Sequence, residues 1–550
     1  MARQRNGHLL VVVVAVAACD SLPLPEPQSL CALSPAATIS LAVGGDTSID
    51  PATDGGCVSF PANASTADSA EYLVIAQAAG GAAGATAAFQ LRSAGFAALP
   101  AALPAVLPLA SPRGTAAARF DHFLRQVGRR QAGPAPRPVP AARSLAPLGA
   151  AAPPVVGSLR TFHVCAALDC SSFQRVTGRV RAVGGHVAIY VDTLAPAGGL
   201  DSADMDTLQQ VFDVHGYAVD TTAFGRESDI DSNGVVIALM TNVVNHLVTA
   251  AQCQSAGYVA GFFFAPDIDP FYAQDTLSNH GEVIYTVVAD SAATLSCAHQ
   301  RAEVKGVLPA TLLHELQHLI NYNQHVLVHR GNAEDDWLDE GLSKYAEELG
   351  GWSVGPSAPT FSDYVIGDFY DAYQYLRAPG AHFMLTTTDQ NLADVGGGWL
   401  FVRYLVDQSG AGLTPRLVQT SLTGTANVAA HVGVPFPTLA SQWALALWVS
   451  DLPGFTPPAT LRFTTWSFRR TFASLYSQQP QAFPLPFPLV PPAVAGSAVS
   501  LSDTLRAGSG FYIRSLQGPR GAAFELRFLG PTGAALPAAI FPRPDVIRIR

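Results

Sequence analysis

The chain has 550 residues, a formal charge of -10, and 13% charged against 49% hydrophobic side chains. That length exceeds one ordinary core and predicts two to four domains, with enough apolar material to fill them, which excludes a disordered chain. An acidic sequence without a basic stripe also excludes nucleic acid as the expected partner.

Residues 1–19 read as an address. Arg3 and Arg5 precede an apolar run, 9–18, that is too short to span a bilayer, and Val16-Ala17-Ala18-Cys19 has the form of a bacterial lipobox. Cleavage before Cys19 would leave a lipidated cysteine; an ordinary signal peptide cut nearby is the alternative, and both export the protein. The expected location is the cell envelope, periplasmic or cell surface, or the secreted fraction. No later segment reaches the ~18 apolar residues of a membrane span, so lipid would be the only anchor. Setting Cys19 aside leaves six of the seven cysteines, an even number in an exported chain. Pairing sequence neighbours predicts disulfides Cys31–Cys57, Cys165–Cys170 and Cys253–Cys297.

Residues 20–110 open with a Pro-rich tether and continue as β-prone pieces, such as 38–43 and 71–76, between Gly, Asp and Ser clusters. They predict a small β-sandwich-like domain stapled by Cys31 and Cys57. Residues 111–157 hold one predicted helix, 116–130, followed by the Pro-rich run 132–140, and read as an unprocessed linker, with nicking at Arg129-Arg130 as the alternative. Regular structure resumes in 158–455, with strands at 187–192, 234–240 and 282–288, a helix at 201–214, and then a histidine-bearing helix. This is an α+β layout in which the last strand is the expected edge for pairing an extended peptide. Apolar helices at 398–406 and 439–449 predict a helical half that closes the cleft. Residues 456–497 form a second Pro-rich linker and 498–550 return to β-like pieces, a second accessory β region.

Asp229-Ile230-Asp231-Ser232-Asn233-Gly234 matches the first half of a calcium loop, but the position an EF-hand reserves for its last carboxylate is Met240. The EF-hand is excluded. An Asx turn launching a strand is the simpler reading, with a different Ca2+ site on Asp229, Asp231 and Asn233 as the alternative.

The chemistry concentrates in 307–349. Apolar residues at 308, 312, 313, 316, 319 and 320 recur at helical spacing, so His314 and His318 project from one face, one turn apart. Two imidazoles so placed can hold one tetrahedral metal, with Glu315 beside any water at the open position. Two hydrogen-bonded structural histidines are the plainer alternative, disfavoured by the helical pattern and by a second motif downstream, Trp337-Leu338-Asp339-Glu340-Gly341-Leu342-Ser343. Among the acidic residues there, Glu340 is preferred over Glu334, Glu347 and Glu348 as third ligand. It lies early in an apolar-periodic helix and Gly341 leaves room beside the metal-bearing helix, whereas Glu347 and Glu348 read as a solvated end. His325 and His329, also four apart, have no acidic residue between them and read as structural or surface residues.

The run His-Glu-Leu-Gln-His-Leu-Ile-Asn-Tyr-Asn at 314–323, followed by Trp-Leu-Asp-Glu-Gly-Leu-Ser-Lys-Tyr-Ala at 337–346, resembles the hyicolysin-type family of secreted bacterial zinc metallopeptidases, within the gluzincin class. The resemblance covers about residues 159–409. It implies a zincin-like catalytic domain, Zn2+ held by His314, His318 and Glu340, Glu315 as catalytic carboxylate, and a protein or peptide substrate. One departure stands out: thermolysin-like gluzincins carry an acidic residue four positions after the ligand glutamate, where this chain has Lys344, so the partner orienting a ligand histidine must come from elsewhere. An oxyanion donor is also required, for which Tyr345, Tyr375, His382 and Tyr404 are candidates that sequence order does not rank. The expected function is an exported zinc-dependent endopeptidase acting through a zinc-activated water with Glu315 as general base. A non-catalytic surface lipoprotein on a peptidase-like scaffold, and a zinc hydrolase of a non-peptide bond, are the competing readings.

Overall fold

The computed structural model describes residues 37–93, 116–131, 152–386 and 391–550. The address segment with Cys19, the cysteine Cys31 expected to pair with Cys57, and the Pro-rich run 132–140 lie outside the described residues.

The expected α+β layout is present. Its centre is a six-stranded sheet of β1 (Leu159–Cys165), β2 (Phe173–Val183), β3 (Val187–Asp192), β4 (Val236–Met240), β5 (Gly261–Phe263) and β6 (Val283–Thr286), in the order β5-β6-β4-β3-β2-β1. The parallel neighbours β3, β4 and β6 are nearly unbroken apolar runs because the interior of the sheet is covered on both faces. The edge nearest the histidine-bearing helix is β5 rather than β6. This short strand adds antiparallel outside β6, and it lies so near that helix that a Cβ on Gly261 would come within 2.7 Å of Thr311 Cγ2.

Five helices position the candidate site: α1 (Ala116–Gln131), α2 (Arg301–Tyr322), α3 (Asp336–Val354), α4 (Phe361–Arg377) and α5 (Leu392–Ser409). Leu308, Leu312, Leu316 and Ile320 bury one stripe of α2 in the main core, and a π-helical turn, Asn323–Val328, follows its end. α3 returns beside α2, and α5 packs against both α3 and α4. Gly341 was expected to make room for the metal-bearing helix, but the space beside it is filled by α5: a Cβ there would lie 2.8 Å from the Gly398 carbonyl oxygen.

The two accessory β regions share both of their sheets. One sheet orders Ala37–Thr38, Cys57–Phe60, Phe524–Leu529, Thr86–Ser93 and Ser500–Arg506; the other orders Ala493–Ala495, Gly510–Gln517, Ala70–Ala78, Pro542–Arg548 and Asp46–Ser48. Neither segment has strands enough to cover two apolar faces, and interleaving buries Val58, Phe60, Phe89, Leu526 and Phe528 in one core. Residues 456–497 are likewise packed. Helix Phe468–Gln478 buries Phe468 and Phe472 against Phe369, because aromatic side chains in this Pro-rich stretch outweigh its poor helix propensity. Disulfides Cys165–Cys170 and Cys253–Cys297 are present as expected. Among the described residues no single helix is long and apolar enough to cross a membrane.

Candidate metal centre

Helices α2 and α3 bring His314, His318 and Glu340 together, with one potential ligand atom from each within 4.8 Å of the others. The helical spacing places the two rings 4.8 Å apart, and His318 Nε2 lies 3.1 Å from His314 Nε2. Glu340 closes the triangle, Oε2 at 3.5 Å from His314 Nε2 and Oε1 at 3.7 Å from His318 Nε2. Zinc–nitrogen bonds of about 2.0–2.1 Å would set two tetrahedral nitrogens about 3.4 Å apart, so the donor set fits that ion.

The opposite ring nitrogens are both spoken for. His314 Nδ1 lies 2.8 Å from Glu347 Oε1, while His318 Nδ1 lies 3.0 Å from Asp339 Oδ2 and 3.1 Å from Ser343 Oγ. These contacts at Nδ1 turn each ring so that its Nε2 points toward its neighbour, an arrangement that makes sense around a cation. Glu340 adds a buried carboxylate oxygen, Oε1, with no hydrogen-bond partner among the described residues. Burial alone would raise the Glu340 carboxyl, but His318, His314 and Arg125 outweigh it and bring it to about 2. Glu315, only 5% exposed, likewise holds Oε2 without a hydrogen-bond partner among the described residues.

Lys344 resolves the departure seen in the sequence. Its Nζ lies 3.2 Å from Glu347 Oε1 and 3.4 Å from both Asp368 Oδ1 and Asp371 Oδ2 on α4. The carboxylate that faces His314 is therefore Glu347, two helical turns after Glu340 on the same face. Glu347 and Glu348 are not a solvated end: α4 and α5 cover them. Glu348 accepts from the indole N–H groups of Trp352, Trp399 and Trp466 at 3.1, 3.0 and 2.8 Å and from Arg403 at 3.1 Å. Burial pushes Asp371 up to about 6, Lys344 holding it below what Glu347 would add. The repeat that marks Glu347 as a face-mate of Glu340 was readable; its burial was not.

The four oxyanion candidates are engaged elsewhere. Tyr404 donates to the Thr460 carbonyl at 2.7 Å, Tyr375 Oη lies 2.9 Å from Ser509 Oγ, and His382 Nδ1 lies 3.3 Å from Asp394 Oδ1. Tyr345 lies under the Arg403 guanidinium, 5.1 Å from its ring centre. Of the remaining candidates, His325 is fully buried and burial pushes its imidazole down to about 4. Glu334 accepts from the Gly424 N–H and, at 2.7 Å, from Asn427 Nδ2. Asp229 and Asp231 meet Glu282, but Asp231 already faces Arg160 at 3.5 Å and takes the Asn233 amide at 2.8 Å. Asn233 Oδ1 in turn accepts from the Val235 N–H at 2.7 Å, which is the Asx turn of the simpler reading.

Helix α1 reaches this centre from the stretch expected to be a linker. Arg125 Nη1 lies 3.4 Å from Asp339 Oδ2, and its Nε lies 3.7 Å from Glu340 Oε1. His122 Nδ1 lies 2.9 Å from Asp336 Oδ2, and Arg129 pairs with the same carboxylate. A charged stripe at 121, 125 and 129 beside an apolar one at 120, 124 and 128 was the available sequence signal.

No family model matches the chain. The neutral metalloprotease ShpI of Staphylococcus hyicus is 29% identical over 127 residues, 23% of this chain and 26% of that protein, so the chain matches about a quarter of the relative's length. An M1 zinc metallopeptidase from Deinococcus radiodurans is 14% identical, with 56% of this chain and 54% of that chain covered at a TM-score of 0.28. A single-residue mutant of the same enzyme aligns with 14% identity, 55% and 53% coverage and the same TM-score of 0.28. At that score the structural likeness carries no argument.

Proposed function

We propose that the chain is an exported, hyicolysin-type zinc endopeptidase. The observation that carries this reading is the convergence of His314 Nε2, His318 Nε2 and the Glu340 carboxylate beside Glu315, with both remaining ring nitrogens held by acceptors. Similarity to a neutral metalloprotease over 127 residues supports it. The lipobox-like segment and the paired cysteines support export.

Zinc held by His314, His318 and Glu340 would supply a Lewis acid for the scissile carbonyl and the attacking water. Glu315 then takes a proton from that water and returns it to the leaving amine nitrogen. Glu347, Asp339 and Ser343 fix the ring orientations that present Nε2 inward. β5 is the terminal strand of the sheet, where an extended backbone would pair through main-chain groups; such pairing does not require a chain end and so suits internal bonds.

The test is hydrolysis of casein and of a broad peptide panel by zinc-loaded protein, full length and after limited proteolysis, against Glu315→Gln. Loss of the carboxylate should cut turnover by roughly 10²–10⁴-fold with zinc stoichiometry unchanged. Full zinc loading with wild type and Glu315→Gln equally inert in both forms would remove the peptidase reading.

A further inference from the structure

Helix α1 spans both walls of the cleft. On the sheet side, Phe120 is fully buried with its ring edge-on to Phe262 of β5 at 5.0 Å. Leu124 is buried one turn on, and Gly128 lies so close to α2 that a Cβ would come within 3.3 Å of the Tyr322 ring. On the metal side, Arg125 faces Asp339 and Glu340, while His122 and Arg129 face Asp336. Asp121 lies within electrostatic reach of Glu340, Glu315 and His314. One helix thus packs on the strand a substrate would pair with and on the carboxylate that would hold the metal.

We propose that α1 is an inhibitory plug built into the chain, seated between β5 and the His314–His318–Glu340 cluster, and that a substrate enters only after α1 has left. This rests on the peptidase reading for its consequence, though not for its geometry. With Phe120 seated on Phe262, α1 stands where an extended peptide would approach β5, and Arg125 fills the space in front of Glu340 and Asp339 with a guanidinium. The plug is held by two apolar anchors and a cluster of ion pairs, so it is releasable without unfolding the sheet or α2.

The experiment uses the full chain loaded with zinc, as wild type and as Phe120→Ala/Arg125→Glu, which removes one anchor and sets a carboxylate against Asp339 and Glu340. Two readouts are taken: affinity for a zinc-directed peptidyl hydroxamate, which needs no turnover, and hydrolysis of a quenched fluorescent peptide. The double variant should bind the hydroxamate at least tenfold more tightly and cut the peptide at least tenfold faster. A synthetic peptide of residues 116–131 added in trans should restore the wild-type values, and the same peptide with Arg125→Glu should not. If the double variant does not melt cooperatively, Arg125→Glu alone, which keeps the apolar anchors, carries the same test. Equal hydroxamate affinity in wild type and a folded variant overturns the plug. Tighter hydroxamate binding with no hydrolysis by any form sustains the plug and sinks the peptidase reading instead.

Discussion

His314 and His318 lean on different partners. His318 is flanked by Asp339 and Ser343 of α3, the helix that also brings Glu340, so its orientation is local to one turn. His314 depends on Glu347, whose Oε1 is shared with Lys344 and through it with Asp368 and Asp371 of α4. Replacing Glu347 by Gln weakens the acceptor at His314 and removes one of three carboxyl groups around the buried Lys344 ammonium. Zinc affinity should fall by roughly 10–100-fold, read by competition with a chromophoric chelator, with Glu315→Gln as a control that keeps its affinity. An unchanged affinity would mean that Glu347 serves Lys344 and not the metal centre. The pairing of His314 with His318 was legible because helical spacing alone fixes which face they share. Glu347 was not, because acidic residues at a helix end look solvated until α4 supplies the cover.

At the scale of elements, α5 is the wedge that holds the site's supporting helices at their spacing. Its Gly396 approaches α4 so closely that a Cβ would meet the Asp371 carbonyl carbon at 2.2 Å, and a Cβ on Gly398 would meet the Trp337 carbonyl oxygen of α3 at 2.8 Å. Consecutive glycines in a helix interior cost about 1 kcal/mol each relative to alanine, and close backbone approach is the compensation. Gly396→Ala should push α4 from α5, costing on the order of 1–3 kcal/mol. Because α4 carries Asp368 and Asp371, zinc affinity should fall together with Tm. Gly412→Ala, whose Cβ would meet nothing within 4 Å, is the control and should change neither. A Gly396→Ala protein with a lower Tm and intact zinc affinity would confine the wedge to stability. The α5 helix was visible in its apolar run, yet its purpose was not, since a glycine reports a neighbour only once the neighbour is known. The same holds for α1: its helix was readable from 116–130, but the Pro-rich run beside it made a linker the simpler inference.

Across the whole molecule, the β-sandwich draws together the two flanks of the chain. Ala70–Ala78 lies between Gly510–Gln517 and Pro542–Arg548, pairings separated by more than four hundred positions that no local pattern encodes. Its inner edge meets the helical half at a polar seam, where Ser48 Oγ and Ser441 Oγ lie 3.1 Å apart and Gln77 donates to Ser441 at 3.1 Å. Asp545 belongs to this seam and is fully buried. Burial pushes its carboxyl from 3.8 up to about 7, against the smaller pull of the Ser48 and Ser441 hydroxyls. Between about pH 4 and pH 7 the folded chain therefore keeps a proton that the unfolded chain has released. Its contribution is fully present below about pH 4 and is lost as the pH rises through about 7, a change on the order of 4 kcal/mol. Asp545→Asn is neutral throughout and should remove that slope. Tm measured from pH 5 to 8 at constant ionic strength should show the variant gaining on the wild type as the pH rises, with the gain levelling off above about 7. Parallel curves would mean that Asp545 carries no proton in the folded chain, and that the Ser48 and Ser441 hydroxyls suffice to hold it charged between the two halves.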